Sequence, residues 1–254
     1  MAGLRDLLQI GAAEGGTELN FDTLYVYNTS KATANNGGQC CLWTVPAGVS
    51  WFAVELWGGG GAGPGSCCCQ QGWGGGSGSY ARKFITGLSG DGGEQFRLCA
   101  AGSTGCCCAC CSQPGYPSYV FDVSASSTPV CASGGASGRT QCFVGDGCGS
   151  CWSCTGANCG SWTGGMGICG VTGSFRGNPN CNGNAWSYAP SAPFTGGGLR
   201  GSRTWCSADN GITQNGEAHW PGGGGGAAVT HGGSGCYGGP GAGGLINIFY
   251  GVAG

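Results

Sequence analysis

Runs of consecutive glycines constrain this chain more than any other feature of its sequence. Glycine accounts for 61 of the 254 residues, and it is concentrated in runs such as 58–61, 74–76, 196–198 and 222–226. A glycine run has no side chain to pack and a low propensity for helix or strand. Yet the chain carries 9 Trp, 8 Tyr and 9 Phe and is only 8% charged, whereas disordered chains are poor in aromatic residues and highly charged. The sequence therefore predicts an ordered protein.

Extended glycine segments can be ordered through their backbones. Such a segment can adopt a left-handed threefold helix with a rise of about 3.1 Å per residue and no internal hydrogen bonds. Its amide groups are then free to bond to neighbouring segments, although each bond contributes only about 0.5–1.5 kcal/mol. Because ordering a glycine costs more conformational entropy than ordering any other residue, we expect a polyglycine-II-type bundle to need aromatic covers and cysteine cross-links.

Apolar alternation predicts β-strands on both sides of the glycine-rich middle. The expected strands are 19–28, 51–57, 80–86, 94–99 and 245–250, with 80–86 and 94–99 forming a pair. Within 51–57, Phe52, Val54 and Leu56 make one fully apolar face that should point into a core. The predicted fold class is all-β: β-sandwich-like strands that frame a glycine-rich, cysteine-braced bundle, with almost no helix beyond a short one at the N-terminus.

Residues 1–40 are predicted to form an N-terminal docking segment, and residues 41–254 a glycine-rich domain. Leu4, Leu7 and Leu8 recur at helical spacing, so a short helix is expected there, either as a frayed terminus or as a docking element. The first residues lack the uninterrupted apolar core of a secretory signal. No apolar run approaches the roughly 18 residues of a membrane-spanning helix, so no membrane span is expected.

Cysteine is the second unusual residue, with 21 copies that fall largely into clusters. A disulfide between adjacent residues is strained, so each cysteine of a run is expected to bridge to a different segment. The candidates for such disulfides are Cys67, Cys68, Cys69, Cys106, Cys107, Cys108, Cys110 and Cys111. One bridge that closes a long loop contributes about 2–4 kcal/mol, which would offset part of the entropy cost of ordering glycine.

Another cysteine group has the spacing of a metal site. Cys148, Cys151, Cys154 and Cys159 follow a Cys-x2-Cys-x2-Cys-x4-Cys pattern. Thiolates two residues apart can share a zinc ion or an iron–sulfur cluster. Disulfides and free buried thiols are the alternatives for these cysteines, and no other cofactor is expected.

Three stretches of the chain follow one recognisable pattern in order and spacing. They are WTVPAGVSWFAVELWGGGGAG at 43–63, GGGSGSYARK at 74–83 and GGPGAGGLINIFY at 238–250. This pattern resembles the glycine-rich domain of bacteriophage tail-fibre and tail-tip virion proteins, whose kin include the distal adhesins of T-even phage fibres. The resemblance implies a structural protein of the virion, a tail-fibre or tail-tip component that contributes to binding of the host receptor.

The resemblance also implies partners and a location. Residues 1–40 would bind other tail proteins of the virion, and the remainder would bind a surface glycan or an outer-membrane receptor of the host. A homo-oligomer is expected, with a trimer favoured for a fibre. The protein would be assembled in the host cytoplasm and reside in the virion tail. With a net charge of −2 and no basic patch, nucleic acid is not an expected partner.

Four aromatic residues among Gly, Ser and Asn are candidates for receptor contact. They are Trp186, Tyr188, Trp205 and Trp220, and Trp and Tyr dominate the hot spots of binding surfaces. The stretch 178–188 is the predicted tip of the molecule. The alternative for each of these residues is that it covers the glycine bundle.

The sequence contains no pattern typical of an active site. It lacks a Gly-x-Ser-x-Gly elbow and a His-Glu-x-x-His motif, and the glycines after residue 57 precede no helix that would suit a dinucleotide. An enzyme is therefore not expected. The alternatives to an adhesin are a purely architectural subunit of the tail or capsid, and a protein that binds zinc or an iron–sulfur cluster through its cysteines.

Overall fold

The computed structural model describes residues 23–28, 38–63, 70–104, 113–142, 162–170, 174–176, 186–188, 192, 194, 220–225 and 238–251. Within these residues all regular secondary structure is β-strand, which confirms the all-β fold class. In chain order the strands are β1 (Thr23–Asn28), β2 (Gln39–Thr44), β3 (Trp51–Trp57), β4 (Gln70–Trp73), β5 (Tyr80–Thr86), β6 (Gln95–Ala100), β7 (Ser118–Asp122), β8 (Ser127–Ala132), β9 (Arg139–Cys142), β10 (Trp162–Thr163), β11 (Met166–Ile168), β12 (Ser174–Arg176), β13 (Trp186–Tyr188) and β14 (Leu245–Tyr250).

Two five-stranded antiparallel sheets make up most of this structure. Sheet 1 has the strand order β1-β14-β3-β5-β11, and sheet 2 has the order β10-β8-β7-β6-β2. Two further ladders, β4–β9 and β12–β13, have two strands each. The predicted N-terminal helix lies outside the described residues. None of the described segments forms a helix with the length and apolar character of a membrane span.

The prediction that 80–86 pairs with 94–99 is wrong. Strand β5 pairs with β3 and β11 in sheet 1, whereas β6 pairs with β2 and β7 in sheet 2. The connection between them crosses from one sheet to the other instead of closing a hairpin. It is held to the preceding turn by backbone bonds, since Gly48 N–H donates to Gly90 O and Gly93 N–H donates to Val45 O.

The core lies between the two sheets. Phe52, Val54 and Leu56 on β3 are all fully buried, as predicted from the alternation. They pack in one apolar cluster with residues of sheet 2, including Leu98 and Val120. Burial of each such side chain stabilises the fold by about 1.5–3 kcal/mol, so this cluster joins the two sheets into a sandwich.

The strands of both sheets continue into glycine-rich segments at the same end of the sandwich. We call these segments the glycine layer: 58–63 after β3, 74–79 before β5, 101–104 after β6, 113–117 before β7, 133–138 after β8 and 238–244 before β14, together with 222–225. Most residues of the glycine layer are buried. The sandwich and the glycine layer therefore share the same strands and form one continuous unit.

Segment 58–63 is at the centre of the glycine layer. Its six backbone N–H groups donate to three neighbouring segments at 2.8–3.0 Å, and residues three apart donate to the same segment: Gly58 and Gly61 to 76–79, Gly59 and Ala62 to 113–116, and Gly60 and Gly63 to 239–242. Its carbonyl groups accept bonds from Gly135, Gly138 and Gly225. A repeat of three is what a threefold extended helix produces.

The backbone hydrogen bonds of segment 58–63 all lie within the described part of the chain. The glycine-rich bundle predicted between about residues 100 and 240 extends into residues outside it, and in that full extent it stays a prediction. Within the glycine layer, the absence of a side chain is a steric requirement. A Cβ on Gly60 would overlap the carbonyl group of Gly223, and a Cβ on Gly61 would overlap that of Ala136.

One disulfide braces the sandwich, between Cys40 on the edge strand β2 and Cys99 on β6. The two cysteines are directly opposite in the antiparallel pair, with Cα atoms 4.0 Å apart. The predicted disulfides were to link segments of the glycine bundle, and neither Cys40 nor Cys99 was among their candidates. The eight cysteines predicted to form disulfides all lie outside the described residues.

Replacement of Gly60 by Ala tests the steric requirement. Because the added carbon would overlap backbone on a segment that cannot move without breaking hydrogen bonds, we expect a loss of at least about 3 kcal/mol in the free energy of unfolding, or failure to fold. Gly87→Ala is the control, since its added Cβ meets nothing within 4 Å and only the left-handed backbone costs about 1–2 kcal/mol. Chemical denaturation measures both, and equal losses would contradict the close packing.

Removal of the disulfide tests its contribution to stability. The cysteines are 59 residues apart in sequence, so the double variant Cys40→Ser/Cys99→Ser should lose about 2–4 kcal/mol through the greater freedom of its unfolded chain. The exposed Cys169 provides the control, and Cys169→Ser should change stability by less than about 0.5 kcal/mol. Urea denaturation without reductant makes the comparison. A double variant as stable as the native chain would show that this bridge contributes nothing.

Candidate functional site

The sandwich and the glycine layer give the molecule two opposite ends. The chain enters β1 at Thr23, which is paired with Tyr250 at the end of β14. Both residues lie at the end of the sandwich away from the glycine layer, which we call the loop end. Strand β1 belongs to the predicted docking segment 1–40, so part of that segment is the outer strand of sheet 1.

The far end is the end of the glycine layer remote from the sandwich. Strand β4 directly precedes 74–79, and β9 directly follows 133–138, so the β4–β9 ladder lies there. Strands β12 and β13 both contact β4. The β12–β13 ladder is therefore at the far end as well.

Two of the predicted contact residues, Trp186 and Tyr188, are on this far-end ladder. They belong to β13, where Trp186 is paired with Arg176 and Tyr188 with Ser174 of β12. Positions two apart in a strand fall on the same face of a ladder. The register therefore groups two aromatic residues with an arginine and a serine on paired strands. The remainder of the predicted tip, residues 178–185, lies outside the described residues.

Trp220 lies elsewhere. It is 44% exposed, and it directly precedes the part of the glycine layer that adjoins the sandwich. There Gly222 donates to Gly243 O and accepts a bond from Gly78 N–H. The six residues of 58–63, at about 3.1 Å each, span roughly 19 Å from one end of the glycine layer to the other. Trp220 is next to the sandwich end of the layer, so it is not part of the far-end group. Trp205 lies outside the described residues.

The predicted metal ligands Cys148, Cys151, Cys154 and Cys159 also lie outside the described residues. In the part of the chain that the structure describes, no group of three or more His, Cys, Asp or Glu side chains is arranged to hold a metal ion. The thiol of Cys131 is half-buried on β8, and burial raises its pKa. A raised pKa keeps a thiol protonated and less nucleophilic at neutral pH.

The two cysteine runs predicted to form disulfides lie outside the described residues, but the described residues that flank them belong to the glycine layer or to β4. Residues 64–69 join Gly63 to β4, and residues 105–112 join Thr104 to Gln113. The anchoring residues meet within the glycine layer, since Ala62 N–H donates to Gln113 O and Thr104 N–H donates to Gly241 O.

A charged group on the outer face of sheet 1 was missed from the sequence. Glu55 is only 8% exposed, and Tyr80 Oη donates to its Oε1 at 2.9 Å. Arg82 Nε lies 3.8 Å from the same oxygen. In the strand register, Arg82 and Asn247 lie on either side of Glu55. Both Arg82 Nε and Asn247 Oδ1 are buried and have no hydrogen-bond partner. A lone glutamate in an otherwise apolar strand was the available signal.

The residues around Glu55 hold its carboxylate in the packed part of the fold. Tyr80 packs with Trp57, Ala192 and Leu245 in a second apolar cluster that covers this face next to the glycine layer. Burial foremost, and then the Glu55 carboxylate, raise the pKa of the Tyr80 phenol above its usual range. The phenol therefore stays a neutral donor to Glu55, and together with Arg82 it holds the buried carboxylate in place.

No model of a known protein family matches the chain, and no curated protein matches it.

Replacement of Tyr80 by Phe tests this arrangement. The buried Glu55 carboxylate would lose the hydrogen bond that the phenol donates to it, which should cost about 1–3 kcal/mol. The native chain should also lose stability as the pH rises above the usual tyrosine pKa of 10.0, because the unfolded chain releases the phenol proton more readily than the folded one. The free energy of unfolding, measured from neutral pH to about pH 11, would show this loss of stability. If Tyr80→Phe lost as much stability at alkaline pH as the native chain, this explanation would be contradicted.

Proposed function

We propose that this protein is a structural component of a bacteriophage virion, in the tail fibre or tail tip, and that it contributes to binding of the host receptor. The observation that carries the proposal is the separation of its two ends. The described chain enters and leaves the sandwich at the loop end, whereas the β12–β13 ladder with Trp186 and Tyr188 is at the far end. An adhesin needs such a separation of attachment from recognition.

The loop end suits attachment to the particle. Within the predicted docking segment 1–40, the residues that precede β1 at Thr23 would bind neighbouring tail proteins there, since residues 38–40 adjoin the glycine layer. The glycine layer then acts as a rigid spacer, because each segment of it is bonded to several others. A rigid spacer lowers the entropy cost of holding recognition residues away from the particle.

The far end suits a receptor. Aromatic side chains such as those of Trp186 and Tyr188 supply large contact areas at low entropy cost, and the guanidinium of Arg176 can pair with carboxylate or phosphate groups. This chemistry fits a glycan or an outer-membrane receptor on the host surface. Several copies on one particle, with a trimer as the expected assembly, would strengthen weak single contacts through effective concentration. No catalytic step is part of the proposal.

Adsorption to bacterial cells tests the proposal. The purified chain, displayed on beads in many copies, is incubated with a panel of bacterial strains, and the bound fraction is measured against concentration. We expect saturable binding to some strains, and a loss of affinity of tenfold or more, about 1.4 kcal/mol, for Trp186→Ala/Tyr188→Ala. Trp220→Ala, at the other end of the glycine layer, is the matched control and should bind like the native chain.

Three outcomes contradict the proposal in different ways. Binding to no strain by a protein that is folded, as judged by its thermal transition, would favour a purely architectural subunit. Binding that Trp220→Ala weakens as much as the double variant does would leave an adhesin but remove the far end as its receptor site. Stoichiometric zinc or iron in the purified protein would instead favour the cysteine-based metal protein.

A further inference from the structure

Strand β2 is held in the fold unevenly along its length. It is the edge strand of sheet 2, and among the described residues it pairs only with β6. Towards the loop end, Trp43 is buried, and its ring packs against three other aromatic rings at centroid distances of 4.9–6.3 Å. Towards the glycine layer, Gln39, Cys40 and Leu42 are exposed, and only Cys41 between them packs in part against the core. The first half of β2 therefore has few apolar contacts.

The bridge between Cys40 and Cys99 fastens this weakly packed half of the strand. Hydrogen bonds at the end of a ladder open easily where little buried apolar surface opposes their opening. While the two sulfurs are joined, the Cα atoms of the two cysteines cannot move more than about 7 Å apart. The bridge therefore keeps residues 39–42 on β6, although their packing alone contributes little.

The two bridged cysteines differ in exposure. Both lie on the outer face of sheet 2, because Leu98 and Ala100 on either side of Cys99 belong to the core. Cys40 is exposed, whereas Cys99 is only 4% exposed. In the strand register Cys99 lies between Cys40 and Tyr119. Separation of β2 from β6 would remove one of these two neighbours and open Cys99 to solvent.

We propose that the bridge between Cys40 and Cys99 is a redox switch for the first half of β2. The disulfide holds residues 39–42 on β6, and its reduction releases them, while Trp43 keeps the rest of the strand in the core. The switch has two discrete states because the anchor at Trp43 remains in both. Its effect is local opening at one edge of sheet 2, not unfolding of the sandwich.

The reductant is a low-molecular-weight thiol. Its thiolate attacks Sγ of the exposed Cys40, the bond between the two cysteine sulfurs breaks, and Cys99 leaves as a thiolate that takes up a proton. A second thiolate then attacks the mixed disulfide and releases Cys40 as a thiol. Two molecules of the reductant are thereby oxidised to one disulfide, and the two electrons reduce the bridge.

The setting of the switch, though not the switch itself, rests on the proposed function. Cytoplasmic thiols keep disulfides reduced, whereas the exterior of a cell allows them to persist. A virion protein assembled in the host cytoplasm would have this edge of sheet 2 open during assembly. The bridge would close after release, so that the sandwich would be fully braced only in the free particle.

Hydrogen exchange and alkylation test the switch without any bacterial partner. In Cys40→Ser the amides of 39–42 should exchange at least about tenfold faster than in the native chain, and iodoacetamide should modify Cys99, as located by mass spectrometry. The amides of β3 should stay protected. Cys131→Ser is the matched control, because Cys131 is a free cysteine of the same sheet and is paired with the other side of Tyr119. It should leave exchange of 39–42 unchanged.

Titration of the native chain with reduced glutathione applies the same two measurements to a protein that is already folded. Loss of the bridge and faster exchange of 39–42 should occur together, at thiol concentrations that leave β3 protected. The inference is overturned if 39–42 are equally protected without the bridge, if Cys99 stays unreactive in Cys40→Ser, if β3 opens together with 39–42, or if Cys131→Ser has the same effect. Bacterial adsorption enters neither measurement, so any of these outcomes leaves the proposed function standing.

Discussion

The structure depends on backbone amides that approach neighbouring backbone where a side chain would otherwise stand. Segment 58–63 donates a hydrogen bond from each of its residues to one of three neighbours, and several of its positions have no room for a Cβ. Glycine is destabilising in ordinary strands because it loses the most entropy on ordering. In the glycine layer the same lack of a side chain allows one segment to be bonded on several sides at once, which a pleated strand cannot be.

This arrangement couples the apolar core to the glycine layer. Strand β3 contributes Phe52, Val54 and Leu56 to the core and then becomes the central glycine segment without a break. The sandwich supplies the hydrophobic free energy. Its paired strands hold the starts of the glycine segments side by side, which lowers the entropy cost of bringing these segments together. The loop end and the far end are consequently the two ends of a single packed unit, and this supports a role in which one end attaches and the other recognises.

Prediction from sequence succeeded where the pattern is local. The alternation in 51–57 identified the face of β3 that packs in the apolar core between the sheets, and the strands at 80–86 and 245–250 have the predicted bounds. It failed for the pairing of β5 with β6, because a glycine-containing connection can turn back or cross between sheets, and only contacts with the 45–50 turn decide which. The group of Glu55, Tyr80 and Arg82 was missed for a similar reason, since its members come from two strands whose register is not readable from either one.

The sequence by itself determined that the described part of the chain is all-β, which face of β3 is apolar, and that an ordered glycine segment must be held by backbone bonds, because these follow from residue type and short-range periodicity. Only the tertiary structure decided which segments surround 58–63, that Cys40 bridges to Cys99, and that Trp186 and Trp220 lie at different ends of the glycine layer. The physical reason is that glycine has no side chain to identify its partner, so the neighbours of a glycine segment are chosen by the strands that lead into it.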